Sequence, residues 1–115
     1  MTNVSKELLA ATSVPLILSV LKRGESYGYE LIKEVKEASG GTLQFSDGTL
    51  YPILRKLEER ELITSEWRIA DNEKRRRYYN ITNKGKAQLK QEKKNWEFLN
   101  NLLGTLWTPK KTSLT

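Results

Sequence analysis

The sequence predicts a mostly helical α+β chain: a winged helix-turn-helix head followed by one long C-terminal helix. Three observations predict it. Two short amphipathic helix patterns follow one another across a brief link, the first on Leu31, Val35 and Ala38 and the second on Leu50, Ile53, Leu54 and Leu57. An alternating stretch from Leu62 to Ile69, a turn, and a second extended stretch from Lys74 to Thr82 make a β-hairpin. Finally Leu89, Trp96 and Leu103 recur seven apart, with Leu99 and Leu106 three beyond the last two, on a helical stripe.

The elements follow in order. A first helix is expected from Ser5 to Arg23, closed by Gly24. Leu9, Leu16 and Val20 form one stripe, and Val14, Ile17 and Leu21 form another. A helix apolar on two sides is wedged between partners. Pro15 either kinks this helix or marks a later start, because it removes a backbone donor. Ser26 is the expected cap of a second helix, with Glu30 placed against the helix dipole, and Ser39-Gly40-Gly41 ends it. Tyr27, at its amino end, has two readings: a half-buried packing ring, or a hydroxyl beside backbone amides that meet a phosphate.

Thr42 to Phe45 reads as an extended link, and Ser46 or Asp47 caps the central helix. The polar face of that helix carries Thr49, Tyr51, Pro52, Arg55 and Lys56. Hydroxyls near its start and cations further on suit the edge of a nucleic acid groove; the ordinary alternative is a solvated helix face. In the hairpin, Ile63, Trp67 and Ile69 are expected on the inward face, with Tyr79 and Ile81 inward on the returning strand. Ala70 to Glu73 reads as the turn, and four consecutive cations, Lys74 to Arg77, follow it. Adjacent like charges repel one another and gain most beside a polyanion. Thr82 caps a last helix that runs to about Trp107, roughly 35 Å long. Its stripe has no cover within a small head, so it implies a partner helix, most simply from a second copy.

Composition narrows the function. Lys and Arg number 20 against 14 Asp and Glu, a net charge of +6 over 115 residues, which suits a polyanionic partner. The absence of His and Cys removes His triads, thiol nucleophiles and typical zinc sites. No phosphate-cradling glycine motif occurs. No catalytic residue, metal or cofactor is therefore expected, and the chain does not read as an enzyme. No run of about 18 apolar residues marks a membrane span, and the start from Met1 to Glu7 lacks a signal-peptide layout, so the cytoplasm is expected. The expected division is a DNA-binding head over 1–82, a dimerisation helix over 83–107 and a flexible tail over 108–115.

Gly48-Thr49-Leu50-Tyr51-Pro52-Ile53-Leu54, with Leu57-Glu58 and Leu62-Ile63, resembles the most specific motif of the PadR-type bacterial transcriptional regulators. Tyr27-Gly28-Tyr29-Glu30-Leu31 and Arg76-Arg77-Tyr78-Tyr79-Asn80-Ile81-Thr82-Asn83-Lys84-Gly85 match in order and spacing, and the likeness covers about residues 5 to 107. Glu61 departs from it, standing where the family usually has Gly, a change expected to alter the turn into the wing without threatening the fold. The resemblance implies a homodimer that binds palindromic double-stranded operator DNA, usually as a repressor, with half-sites about one helical turn apart or a multiple. On that reading Thr49, Tyr51, Pro52, Arg55 and Lys56 face the groove, with Arg55 or Lys56 donating to guanine. Tyr27, Ser46, Lys74, Arg75 and Arg76 hold phosphates. Leu89, Trp96, Leu99, Leu103 and Leu106 form the dimer interface.

Some members release DNA on binding small molecules such as phenolic acids or cationic drugs. The chain is similar to the short, multidrug-sensing members, which implies an aromatic effector stacked on Trp96 beside Leu8, Pro15 and Ser19, with Ser19 and Asn100 as polar groups. Trp96 as a plain interface anchor is the alternative. Lys93, if it points inward, opposes a cationic ligand. Two other function classes remain: a winged protein-interaction module docking on an acidic partner, and a drug-sequestering protein without operator specificity.

Overall fold

The computed structural model describes residues 4–69 and 71–110. Four helices and three strands run in the order α1 (Lys6–Arg23), β1 (Ser26–Tyr27), α2 (Gly28–Ala38), α3 (Asp47–Glu59), β2 (Ile63–Ile69), β3 (Arg75–Ile81) and α4 (Asn83–Trp107). The sheet is antiparallel throughout, in the order β1-β3-β2. The molecule extends 73 Å along its longest axis.

Helix α1 starts at Ser5, whose side chain accepts from the Leu8 amide, and ends at Gly24. It is one continuous helix with Pro15 inside it. It packs against α2, α3, β3 and α4, as two apolar stripes require. Ile17, Leu18 and Leu21 of α1 meet Leu31 and Val35 of α2, Leu50, Leu54 and Leu57 of α3, and Phe45 of the link in one core. Each of these is nearly or wholly sealed from solvent.

The start of α2 differs from expectation. Ser26 does not cap it: Ser26 is buried in β1, paired with Tyr79, and Tyr27 is the N-cap residue. The Tyr27 amide donates to Glu30 Oε1 at 3.4 Å. A third strand makes the difference, since its two residues give β3 a second neighbour. Ser46 caps α3 by accepting from the Thr49 amide at 3.2 Å. At the other end the Glu61 amide donates to the Glu58 carbonyl and the Leu62 amide to the Leu57 carbonyl, closing a left-handed stop. Glu61 takes φ 62° there. The turn thus forms with glutamate in a conformation that glycine adopts freely.

In the hairpin Ile63 faces Ile81, Ser65 faces Tyr79 and Trp67 faces Arg77. Ile63 and Tyr79 join the core. Trp67 and Ile69, expected inward, are instead 57% and 75% exposed. Beyond Ser65 the hairpin extends past the core cluster, whose hairpin members are Leu62, Ile63 and Tyr79. Asp71 and Asn72 form the turn, and Glu73 takes φ 62°; Ala70 lies outside the described residues.

Thr82 caps α4 by accepting from the Gly85 amide at 2.9 Å. The helix base is seated on the stop of α3: Thr82 Oγ1 donates to the Glu61 carbonyl at 2.7 Å and the Thr82 amide to the Leu62 carbonyl at 3.0 Å. Gly85 makes the seat possible, because an added Cβ would collide with the Leu62 carbonyl oxygen and the Ile81 side chain. Leu89, expected at the interface between copies, is buried in this chain's own core. Helix α1 runs alongside and covers it. The expected tail begins where α4 ends, but 111–115 lie outside the described residues, as do 1–3. Among the described residues no helix is long and apolar enough to cross a membrane, and no cluster of His, Cys, Asp or Glu could hold a metal ion.

Candidate nucleic-acid interface

Helix α3 presents its outer face because Leu50, Leu54 and Leu57 turn inward. Thr49, Pro52, Arg55 and Lys56 lie on the outer side, and among the described residues neither Arg55 nor Lys56 has a carboxylate partner within salt-bridge distance. Pro52 brings no amide to the helix, which leaves the Gly48 carbonyl without its usual donor. Tyr51 is 44% exposed, and its ring leans across to Gly28, where a Cβ would meet the phenol oxygen. The Ser46 hydroxyl is engaged in the cap: it accepts from the Thr49 amide and donates to Thr49 Oγ1 at 2.9 Å.

A cleft of about 680 Å³ opens between the starts of α2 and α3 and the hairpin. Tyr27, Tyr29, Tyr51, Trp67 and Tyr79 line it together with Lys74, Arg75, Arg76 and Arg77. The structure therefore gathers Tyr27, Tyr51, Lys74, Arg75 and Arg76 of the expected set around one concavity. The cations of β3 alternate across the strand. The Arg75 guanidinium lies 4.9 Å from the Trp67 ring centre, and Arg76 lies 4.4 Å from that of Tyr27. Such contacts hold a guanidinium in place without neutralising it. Tyr27 also meets Tyr78 edge-on, with ring centres 5.4 Å apart. Burial pushes the Tyr79 phenol up from its ordinary range, so it stays neutral.

Not every cation of the run is available. Arg77 is taken up by Glu58 of α3, Nη2 to Oε1 at 3.1 Å. On the opposite face Arg68 pairs with both Glu25 and Glu66. The Arg68 guanidinium hydrogen-bonded to Glu25 holds that carboxyl below its usual range. Sequence reasoning missed Glu58 and Trp67, and it counted Arg77 with the basic run without its pairing to Glu58. Strand alternation places Trp67 and Arg77 on one face, but nothing in the sequence connects Glu58 to a residue 19 positions later. Gly48, the first residue of the motif that carries the family resemblance, is an exposed glycine in the first turn of α3, where an added Cβ would meet nothing within 4 Å. The fold itself does not require that glycine.

The expected effector residues divide. A groove of about 240 Å³ between α1 and α4 is lined by Thr12, Pro15, Leu16, Ser19, Leu89, Lys93 and Trp96. Pro15, Ser19 and Trp96 are thus brought together; Leu8 lies a turn before the groove and Asn100 a turn beyond Trp96, and neither lines it. Lys93 does line it. Beyond the groove Leu99, Leu103 and Leu106 are exposed, along with Phe98, Leu102 and Trp107, which sequence reasoning left out.

A model of the transcriptional regulator PadR-like family matches residues 17–91. Among solved structures, a transcriptional regulator from Clostridium thermocellum superposes with a TM-score of 0.81 at 29% identity, over 90% of this chain and 100% of that one. A PadR family transcriptional regulator from Eggerthella lenta gives 0.79 at 35% identity, over 90% and 88%. The negative transcriptional regulator PadR of Bacillus subtilis is 32% identical over 73 residues, which is 64% of this chain and 40% of that protein.

Proposed function

Because the chain belongs to the PadR-like family of transcriptional regulators, which are not enzymes, we propose that it is a homodimeric repressor of palindromic operator DNA. One observation carries the reading: the outer face of α3, with Arg55 and Lys56 unpaired, adjoins a hairpin whose Lys74, Arg75 and Arg76 are also unpaired among the described residues. Thr49, Tyr51, Pro52, Arg55 and Lys56 enter the major groove, and Arg55 or Lys56 reads guanine. Tyr27, Lys74, Arg75 and Arg76 hold phosphates and set register. Ser46 acts mainly through the cap. The negative regulation named for the Bacillus subtilis relative supports repression.

The head takes in the base of α4 as far as Leu89, and the dimer forms through the remainder of α4, up to Trp107. Leu99, Leu103 and Leu106 are exposed on one face, and a second copy is the simplest cover for them. A two-fold axis beside Trp96 would join two grooves into one larger cavity. The lining supports an apolar, aromatic effector there, acting by favouring a head spacing that no longer fits two grooves. Lys93 on the wall disfavours a cationic drug. The cytoplasm, where the operator lies, is the expected compartment.

Fluorescence anisotropy tests the reading. A duplex from upstream of this chain's own gene is titrated against a scrambled duplex across a salt series. A preference of at least about a thousandfold at physiological salt is expected. Equal, weak binding of that duplex, and of fragments recovered by genome-wide pull-down, would sink operator recognition and favour the protein-interaction module.

A further inference from the structure

Glu58 sits at the last full turn of α3 and joins it to both strands of the hairpin. Ser65 Oγ of β2 donates to Glu58 Oε2 at 2.7 Å. Arg77 Nε of β3 donates to Ser65 Oγ at 2.8 Å, and Arg77 Nη2 donates to Glu58 Oε1 at 3.1 Å and Oε2 at 3.3 Å. Every side chain in this ring serves another. The Glu58 and Arg77 side chains remain 32% and 41% exposed, so the pair adds little to folding stability. Its geometry is what matters, because a planar guanidinium held at three points has little freedom left.

The arrangement continues outward. The Arg77 guanidinium lies 5.9 Å from the ring centres of both Trp67 and Tyr79, and Arg75 lies 4.9 Å from that of Trp67. Trp67 is exposed, and the Arg75 and Arg77 guanidinium groups both lie over its ring. A chain of contacts therefore leads from Glu58 through Arg77 and Trp67 to Arg75, an unpaired cation facing the cleft.

We propose that Glu58 is a positioning residue for DNA recognition: it braces the hairpin against α3 and withholds Arg77 from phosphates. Arg77 is a strut rather than a DNA contact, although it belongs to the basic run. The brace fixes where Arg75 meets the backbone while α3 is in the groove, so it raises the preference for operator and lowers affinity for DNA at large. This rests on the DNA-binding reading above.

The test uses the full chain, the upstream duplex, a scrambled duplex and four proteins: wild type, Glu58→Ala, Arg77→Gln and Glu59→Ala. Glu59→Ala makes the same charge change as Glu58→Ala, one residue away on exposed α3, and touches no part of the brace. Circular dichroism establishes that each variant keeps its helices. For Glu58→Ala, operator preference is expected to fall at least about tenfold. Its scrambled-DNA salt slope is expected to steepen by about 0.9, the signature of one added phosphate contact from the freed Arg77. Arg77→Gln is expected to lose preference with no steepening, and Glu59→Ala to keep wild-type preference and slope.

Glu58→Ala matching Glu59→Ala in both readouts overturns the proposal. So does equal weakening on both duplexes without a slope change, which marks a merely structural role. A wild type without operator preference instead fails the DNA-recognition reading itself, and that failure is visible before any variant is compared.

Discussion

The two halves of α4 carry the same kind of apolar stripe and meet different fates. Near its base Leu89 is 1% exposed, sealed by α1 and the head. Two turns past Trp96, Leu103 is 42% exposed and Leu106 69%. The periodicity of a stripe specifies a face and says nothing of what covers it. Cover depends on where neighbouring elements lie, and α1 lines α4 from Leu89 to Trp96.

The largest effect expected from this contrast is at Leu89. Leu89→Ala should cost about 2–5 kcal/mol by leaving a cavity in the head, lowering the melting temperature at every protein concentration. Leu103→Ala should leave the head's own stability nearly unchanged while shifting the concentration at which dimers dissociate in analytical ultracentrifugation. Equal, concentration-independent losses in both variants would erase the distinction between the halves.

A smaller effect is expected at the seat of α4. Gly85→Ala forces a Cβ against the Leu62 carbonyl and should cost about 1–3 kcal/mol in denaturant unfolding. The opposite sign is expected one layer down. Glu61→Gly relieves a left-handed backbone at φ 62° and should stabilise by a few tenths of a kcal/mol to about 1 kcal/mol. A Glu61→Gly protein that unfolds at lower denaturant would mean that this turn carries no such strain.

The smallest effect sharpens the contrast from outside α4. Arg68 holds the Glu25 carboxyl below its usual range, so the pair stabilises the fold above the ordinary carboxylate pKa. That contribution fades as pH falls through the depressed value. Glu25 is well exposed to solvent, and only a slight shift is expected. Wild type and Glu25→Gln should converge in melting temperature as pH falls into the acid range, with wild type slightly higher at neutral pH. A gap that widens on acidification would reverse the sign of this pair.

The sequence by itself determined the helices, the cap at Thr82 and, as one of two candidates, the cap at Ser46, the hairpin, and the outer face of α3. Those features are local: spacing, capping chemistry and turn residues act within a few positions of one another. The tertiary structure alone decided the rest. The strand Ser26–Tyr27 exists because β3 offers it hydrogen bonds, and two residues carry no alternation to announce it. Trp67 and Ile69 obey strand alternation yet stay exposed, because the hairpin extends past the core cluster. Leu89 left the expected interface for the core because α1 lies over it. Glu58 reaches Arg77 because α3 stops where the hairpin begins, and side chains 19 residues apart become neighbours only when the backbone has folded. Local patterns settle which face is apolar or charged; only the packed chain settles which of those faces is already occupied.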